Sequence, residues 1–347
     1  EESYAGLNAN GTGPYMLVSR APGIKTVYKR NPNWWGKFEG NVQEIVYTPI
    51  GNDATRLAAL VSGEIDFVLD PAPRDVPRLR NTAGVKIIDG PENRIVFIGM
   101  DQFRDELLYS NVKGKNPFKD VRVRTAVYQA IDIDAIRTRI MRGASLPTGG
   151  ITPSILASNP DAEQRLPHDP ARARQLLTEA GYPNGFDVTL DCPNNRYIND
   201  EKICQATAAM LAQVNVKVRL NAMPRATYFA KIQKFDTSFY MLGWGVPTFD
   251  SLYAQQSLLR TVGQGGDGNF NLGKYSNPKV DAAVDALKTE TDPARRKALT
   301  KEALAIHKAD VGHIPLHHQV IPWAMRSGVS VVHRADNRLT AKWVKID

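Results

Sequence analysis

Residues 186–223, FDVTLDCPNNRYINDEKICQATAAMLAQVNVKVRLNAM, carry the pattern that decides the fold class of this chain. FDVTLDC and VKVRLNAM have the apolar and β-branched character of strands, and DEKICQATAAMLAQV between them reads as a helix. RATYFAKIQ (225–233) then predicts another helix, and DTSFYMLGWG (236–245) predicts another strand. Strands that alternate with helices in this way predict an α/β sheet.

The residues before this stretch predict a further α/β region. DATRLAALVSGE (53–64) predicts a helix capped by Asn52 or Asp53, and DVRVRTAVYQAIDIDAIRTRIMRG (120–143) predicts two helices capped by Asp120 and Asp132. NRIVFIGMD (93–101) predicts a longer strand that leads out of the α/β region of residues 13–100. Short strands are predicted for YMLVSR (15–20), IKTVYKR (24–30), VQEIVYTPI (42–50), EIDFVLD (64–70) and VKIIDG (85–90).

The C-terminal part predicts two helices over 277–311, followed by strands in HIPLHHQVIPWAMR (313–326) and LTAKWVKI (339–346). The end strands could belong with the N-terminal strands. We therefore predict a first lobe from residues 1–98 and 315–347 and an inserted second lobe from residues 99–314. Two strands, IVFIGM (95–100) and IPLHHQV (314–320), would form the hinge.

Composition excludes several classes of protein. The 347 residues carry a net charge of +8, but the excess is scattered, and no nucleic-acid-binding module is recognisable, so we expect no nucleic-acid partner. No apolar stretch approaches the ~20 residues that a membrane span needs, and the first residues show no secretory signal pattern. Cys192 and Cys204 fit neither a CxxC redox motif nor a zinc site; two buried thiols and a disulfide both remain open.

Local motifs give little support for catalysis. NGTGPYMLVSR (10–20) lacks the later glycine and lysine of a phosphate loop, so its glycines are predicted to shape a turn before a strand. His313 and His317 are four residues apart, but on a strand that spacing spans ~13 Å. Structural or surface histidines are therefore favoured, and the alternative is a secreted metal-dependent hydrolase that uses the His313–His318 region.

MLGWGVPTFDSLYAQQSLL (241–259) is the best candidate for a binding site. A strand runs into glycine, Trp244 follows, and Asp250 and Tyr253 lie at the start of the next helix. Aromatic faces with a carboxylate suit an organic ligand that carries a cationic group. A core tryptophan with Asp250 as a helix N-cap explains the same residues, and both interpretations stay open.

Several motifs, in order, resemble the extracellular solute-binding proteins of family 5, which include the dipeptide-, oligopeptide- and nickel-binding components of bacterial ABC importers. They are NGTGPYML, RNPNWWGK, DATRLAALVSGEIDF, NPFKDVRVRTAVYQAIDIDAI, LLTEAGYPNGFDVTL and YSNPKVDAAVDAL. The resemblance implies a type II periplasmic-binding fold, with two α/β lobes of mixed sheets joined by a two-strand hinge. It also implies that the chain is a C-terminal portion lacking the first part of the first lobe.

The function implied by the resemblance is capture of a peptide or other small organic solute between the lobes and delivery to a membrane permease with its ATPase. The family implies no catalysis and no cofactor, and we expect a monomer. We also expect a periplasmic location, or an extracellular and membrane-associated one in a Gram-positive organism.

The resemblance also assigns roles to residues. Trp244 is similar in placement to aromatic residues that line the ligand cleft, and Asp250 could match a second acid of the family pattern, with Pro247 where the first is expected. Arg225 could face a carboxylate, although a solvated arginine is the simpler interpretation. Trp34 and Trp35 are interpreted as packing residues. Asp267, Asn269 and Phe270 are candidates for the cleft rim, Tyr253 for ligand contact, and Cys192–Cys204 for a periplasmic disulfide.

Overall fold

A computed structural model describes residues 9–153 and 160–347 of the chain. It divides into two compact units, one formed by residues 1–90 and 321–347 and the other by residues 91–320. We call them the split unit and the continuous unit. The lobe boundaries predicted from the sequence, 98/99 and 314/315, and the predicted hinge remain predictions. Among the described residues, no helix is long and apolar enough to cross a membrane.

The strands are β1 (Tyr15–Ala21), β2 (Lys25–Arg30), β3 (Glu44–Tyr47), β4 (Phe67–Leu69), β5 (Val85–Met100), β6 (Ser145–Pro147), β7 (Phe186–Pro193), β8 (Val216–Met223), β9 (Phe239–Gly245), β10 (Ile314–Arg326), β11 (Val329–Ser330) and β12 (Lys345–Ile346). The helices are α1 (Asp53–Ser62), α2 (Val76–Arg80), α3 (Val121–Ala130), α4 (Ile133–Ala135), α5 (Pro160–Glu163), α6 (Pro170–Glu179), α7 (Asp200–Ala212), α8 (Arg225–Ile232), α9 (Ser251–Ala254), α10 (Pro278–Thr289) and α11 (Pro293–Ala309). Single turns of other helix types cover Pro117–Lys119, Ile136–Ile140, Gln255–Leu259 and Ala341–Trp343.

The split unit contains an antiparallel sheet of β1, β2 and β3. The strand that the sequence predicts after NGTGP begins at Tyr15, whose hydroxyl donates to the carbonyls of Val42 and Ala341. A bend over residues 12–14 precedes β1, as the sequence predicted, although neither Gly11 nor Gly13 takes a positive φ.

Two other sequence predictions for the split unit need correction. Trp34 packs against Phe38, with ring centroids 4.8 Å apart, but Trp35 is 83% exposed and is not a packing residue. LTAKWVKI was predicted to be a strand, yet only Lys345–Ile346 pairs, with β11, and a 3₁₀ turn occupies Ala341–Trp343. Over a stretch as short as LTAKWVKI, the alternation of apolar residues does not distinguish a helical turn from an extended strand.

The continuous unit contains the sheet predicted from residues 186–223. β7 pairs in parallel with β8 on one side and with β9 on the other, and β9 pairs antiparallel with the later part of β5. VKIIDG and NRIVFIGMD, predicted as two strands, form the single strand β5. The fold class is therefore mixed α/β, as the sequence predicted.

Helix caps confirm the helices that the sequence predicted. Asn52 caps α1, Asp120 caps α3 and Asp132 caps α4, each by accepting a backbone N–H of the first turn. Pro170 begins α6, and Gly181 follows its end with φ +88°, a conformation that glycine adopts without steric cost.

Apolar helix faces cover both sides of this sheet. On one face, α3, α6 and α7 pack their buried side chains against those of β7, including Val188 and Leu190. The structure joins Cys192 of β7 to Cys204 of α7 by a disulfide, and both residues are fully buried. The other face carries an apolar group that includes Phe97, Tyr228 and Trp244. The sheet is thus covered by packed apolar side chains on both faces.

Candidate functional site

The candidate site lies in the continuous unit, where the parallel strands β7, β8 and β9 reach their carboxyl ends. Arg196 lies in the loop that follows β7, Arg225 follows β8, and Trp244 is at the end of β9. Arg94 joins them because it pairs with Gly245 across the antiparallel β5–β9 ladder. Ligands of open α/β sheets bind outside the carboxyl ends of the strands, so this edge is where a site is expected.

Tyr197 packs against the backbone of β9 beside Trp244. Its hydroxyl accepts from the amide of Gly243 at 2.8 Å, and its side chain is buried. A Cβ at position 243 would lie 2.6 Å from Cε1 of the Tyr197 ring. Glycine is therefore required at 243 because the Tyr197 ring lies so close to the backbone there, and not because the backbone conformation is unusual. This contact packs the loop of residues 194–199 against the sheet.

Two guanidinium groups lie near the Tyr197 ring. The distances from the guanidinium carbon to the ring centroid are 5.0 Å for Arg196 and 5.9 Å for Arg94. Burial lowers the pKa of Arg196 from its ordinary value, and the positive charges of Arg94 and Arg225 lower it further. The site therefore concentrates positive charge that would be relieved by an anion.

Arg94 is bonded to an acidic neighbour, Glu92, whereas Arg196 feels the negative charge of Glu92 without a hydrogen bond or ion pair to it. Nε of Arg94 donates to Glu92 at 2.9 Å, and the other oxygen of Glu92 accepts from Gln319 at 2.6 Å. Among the described residues, no hydrogen bond or ion pair engages the Arg196 guanidinium, although the side chain is partly buried. Guanidinium groups bind carboxylates through paired hydrogen bonds, so Arg196 is suited to an anionic ligand group.

Three of the aromatic residues predicted from the sequence come together beside this cluster. The Trp244 ring stacks on Tyr253 with centroids 5.4 Å apart, and the Phe270 ring lies 4.7 Å from it. Trp244 is 8% exposed and Tyr253 is 37% exposed, so the Trp244 ring is buried and the Tyr253 ring is accessible to solvent. Such a surface can pack against an apolar part of an organic molecule. Ligand contact by these three residues remains a prediction.

Asp250 performs the alternative role that the sequence left open. Its carboxylate accepts from the amide of Leu252 at 2.8 Å and so caps α9, and the other oxygen pairs with Arg296 at 2.7 Å. Both carboxylate oxygens are therefore engaged within the protein. A contact between Asp250 and a ligand amine stays a prediction.

Asp267 is held in a similar way. Its oxygens accept from Lys288 and from Gln256, at 2.9 Å each. Burial alone would raise the pKa of the Asp267 carboxyl, but these hydrogen bonds outweigh burial and lower the pKa. The neighbouring Asn269 is exposed. No contact between described residues joins Asp267 or Asn269 to the arginine cluster, and their placement at a ligand rim remains a prediction.

Arg225 is the first residue of α8 and is exposed. Its backbone amide donates to Oδ1 of Asn195 at 2.7 Å, which ties α8 to the loop that carries Arg196. The contacts of Arg225 do not decide whether its side chain meets a carboxylate or is solvated. Its positive charge lowers the pKa of Arg196.

The histidines of 307–318 do not form a metal site. Nε2 of His307 lies 2.9 Å from Nδ1 of His313, and both rings are buried. Burial lowers the pKa of His307 to about 3, that of His317 to about 3, and that of His313 well below its usual range. Across residues 9–153 and 160–347, no group of three side chains of His, Cys, Asp or Glu could hold a metal ion.

Sequence reasoning missed Glu92, Arg94, Arg196 and Gln319. They come from three segments that are far apart in the sequence and meet through the bonds from Gln319 to Glu92 and from Ile198 to Gln319 and through the approach of Arg94 to the Tyr197 ring. One signal was present: Arg196 lies in the segment between the predicted strand FDVTLDC and the next predicted helix of an α/β sheet, and such segments are where α/β ligand sites lie.

Comparison with known proteins places this chain in a family. The family model for bacterial extracellular solute-binding proteins, family 5 middle region, matches residues 1–266. Glutathione-binding protein GsiB of Salmonella paratyphi A is 29% identical over 316 residues, covering 90% of this chain and 59% of that protein. GsiB of Shigella flexneri serotype 5b is 30% identical over 324 residues, again covering 90% and 59%. The chain thus spans about three fifths of the length of these relatives.

Solved structures show the same fold. The periplasmic binding protein DppA of Helicobacter pylori in complex with the peptide STSA superposes with a TM-score of 0.81 at 20% identity, covering 97% of this chain and 63% of that one. A dipeptide-binding protein of Pseudoalteromonas sp. SM9913 in complex with Met-Leu gives 0.81 at 22% identity, covering 96% and 64%. NikA of Brucella suis in complex with Fe(III)-EDTA gives 0.82 at 20% identity, covering 97% and 68%.

These comparisons give no support to the metal-dependent hydrolase that the sequence left as an alternative. The relatives named above are binding proteins, and the family is one of solute-binding proteins. The match of the family model over most of the chain decides the assignment: the chain belongs to the bacterial extracellular solute-binding proteins of family 5.

Proposed function

We propose that this chain is the solute-binding component of an ABC importer, and that it captures a peptide or another small organic solute that carries a carboxylate. It acts as a monomer in the periplasm, or outside the cell in a Gram-positive organism, and delivers its solute to a permease with its ATPase. Binding is its whole function, without catalysis. Glutathione-binding and dipeptide-binding relatives support this class of solute.

The observation that carries the proposal is the guanidinium of Arg196, which has no hydrogen-bond or ion-pair partner among the described residues. Its guanidinium is partly buried, lies 5.0 Å from the Tyr197 ring centroid, and feels the repulsion of Arg94 and Arg225. Burying a charge without a counter-ion is costly, and a ligand carboxylate would remove that cost. The aromatic group around Trp244 would cover the apolar part of the solute.

Isothermal titration calorimetry with matched probes tests the proposal. Met-Leu and reduced glutathione present a carboxylate, whereas Met-Leu amide has the same apolar side chains without the C-terminal charge. We expect Met-Leu to bind at least about tenfold more tightly than its amide, a difference of about 1.4 kcal/mol. Arg196→Gln should abolish this preference.

The control variant is Arg139→Gln, which removes the same charge from an exposed residue distant in sequence from the loop of Arg196. It should keep the preference of the wild type. Failure of the wild-type chain to bind either carboxylate probe, or equal binding of Met-Leu and its amide, would contradict the proposal.

A further inference from the structure

The loop of residues 194–199, which carries Arg196, is held from within by one buried carboxylate. Asp200 is 3% exposed, and its Oδ2 accepts from the backbone amides of Arg196 at 2.8 Å and Tyr197 at 3.0 Å. Its Oδ1 accepts from the amide of Glu201 at 2.9 Å. The carboxylate therefore fixes the backbone at the residue whose side chain faces the proposed ligand.

This carboxylate has no cationic side chain to compensate it. No ion pair joins Asp200 to a described lysine, arginine or histidine, and its hydrogen bonds are with backbone amides. Burial raises the pKa of Asp200, which the three amides counteract only in part. Two of its three hydrogen bonds hold the loop backbone at Arg196 and Tyr197, and the third is to Glu201 in the first turn of α7, so this carboxylate sets the geometry of the loop relative to the helix.

Other contacts fix the same loop at its ends and middle. The amide of Ile198 donates to Oε1 of Gln319 at 3.0 Å. The disulfide of Cys192 and Cys204 spans the loop, and Sγ of Cys192 lies 3.5 Å from the carbonyl oxygen of Asp200. Because these contacts hold the loop on either side of Arg196, the backbone conformation at Arg196 itself depends on the hydrogen bonds that the amides of Arg196 and Tyr197 donate to Asp200.

We propose that Asp200 is a positioning residue that sets the backbone at Arg196 so that its guanidinium meets a ligand carboxylate in one geometry. The inference rests on the proposed function, because it needs Arg196 to bind that carboxylate. Asp200 itself contacts no ligand. It acts through two backbone amides, and its loss is expected to reduce selectivity for the carboxylate more than general affinity.

The test compares Met-Leu with Met-Leu amide on Asp200→Asn by isothermal titration calorimetry, well below the melting temperature. An amide group offers one acceptor oxygen in place of two: where its NH2 takes the position of Oδ2, the amides of Arg196 and Tyr197 lose their partner, and where it takes the position of Oδ1, only the amide of Glu201 does. Asp200→Ala, which removes both acceptors, is therefore measured beside it. We expect the affinity for Met-Leu to fall about tenfold and the affinity for its amide to change less than about twofold. Asp292→Asn is the matched control, because Asp292 likewise accepts from a backbone amide, at 2.8 Å, but at the start of α11.

The outcomes separate this inference from the proposed function. If the wild type prefers Met-Leu and both Asp200→Asn and Asp200→Ala keep that preference, or lose affinity equally for both probes, Asp200 is only a stability element and the inference is wrong. If the wild type shows no preference, the proposed function fails first and the inference with it. Should circular dichroism show that Asp200→Asn does not fold, Asp200→Ser, which keeps one acceptor in a smaller side chain, is measured against the same two outcomes.

Discussion

Mild acid should destabilise the continuous unit because its buried histidines cannot take up protons. Burial lowers the pKa of His307 and of His317 to about 3 each, and lowers that of His313 well below its usual range. In the unfolded chain the same side chains titrate near pH 6.5. Below that pH the unfolded chain binds protons that the folded chain does not, so unfolding becomes more favourable as the pH falls.

The magnitude follows from the three pKa shifts. Each such histidine costs about 1.4 kcal/mol of the free energy of unfolding per pH unit below about 6.5. Between pH 7 and pH 5.5 the loss is about 1.2 kcal/mol for each residue and about 4 kcal/mol for His307, His313 and His317 together. That is a large part of the ~5–15 kcal/mol that stabilises a typical domain.

Urea unfolding followed by circular dichroism at pH 7 and pH 5.5 measures this loss. The variant His307→Gln/His313→Gln keeps neutral hydrogen-bonding groups at both positions, so its loss should shrink to about 1 kcal/mol. The control His168→Gln removes a histidine of the same unit from an exposed position, and most of the loss should persist in it. A wild-type loss below about 1 kcal/mol, or one that the double variant does not reduce, would refute the reasoning.

Three further predictions concern the site and its supports. Asp250→Ala should lower the free energy of unfolding by about 1 kcal/mol through loss of the helix cap, and it should also weaken Met-Leu binding in calorimetry if Asp250 contacts the ligand amine as the sequence predicts; an unchanged Met-Leu affinity would contradict that contact and leave only the cap. Gly243→Ala should displace Tyr197, because the new Cβ would lie 2.6 Å from Cε1 of the ring, and should lower both the melting temperature and Met-Leu affinity; an unchanged thermal scan would contradict the close approach. Cys192→Ala/Cys204→Ala should cost about 3 kcal/mol for the loop between them, and free thiols at both positions in non-reducing peptide mapping of the wild type would refute the disulfide.

Local signals in the sequence predicted the helices and strands well because they act over a few residues. Asp120 and Asp132 cap the helices predicted from them, since a side-chain acceptor beside free backbone amides is needed wherever a helix begins. The apolar and β-branched residues of FDVTLDC and VKVRLNAM likewise predicted β7 and β8 correctly. The family resemblance then supplied the architecture that these elements alone leave open.

The site was predicted only in part because it depends on distant segments. Trp244 of β9 and Tyr253 of α9 are close together in the sequence, so sequence analysis could group them. Arg94 reaches the same place only through its register with Gly245, and no local pattern encodes that pairing. The carboxylate of Asp250 was ambiguous for another reason: a helix cap and a ligand contact require the same residue type at the same position.

Native mass spectrometry of the purified chain, followed by denaturation and identification of what is released, tests the central claim most directly. The account predicts a bound peptide or other small organic solute that carries a carboxylate and that is lost from Arg196→Gln but retained by Arg139→Gln. A released compound without a carboxylate, or one that Arg196→Gln retains as fully as the wild type, would contradict it.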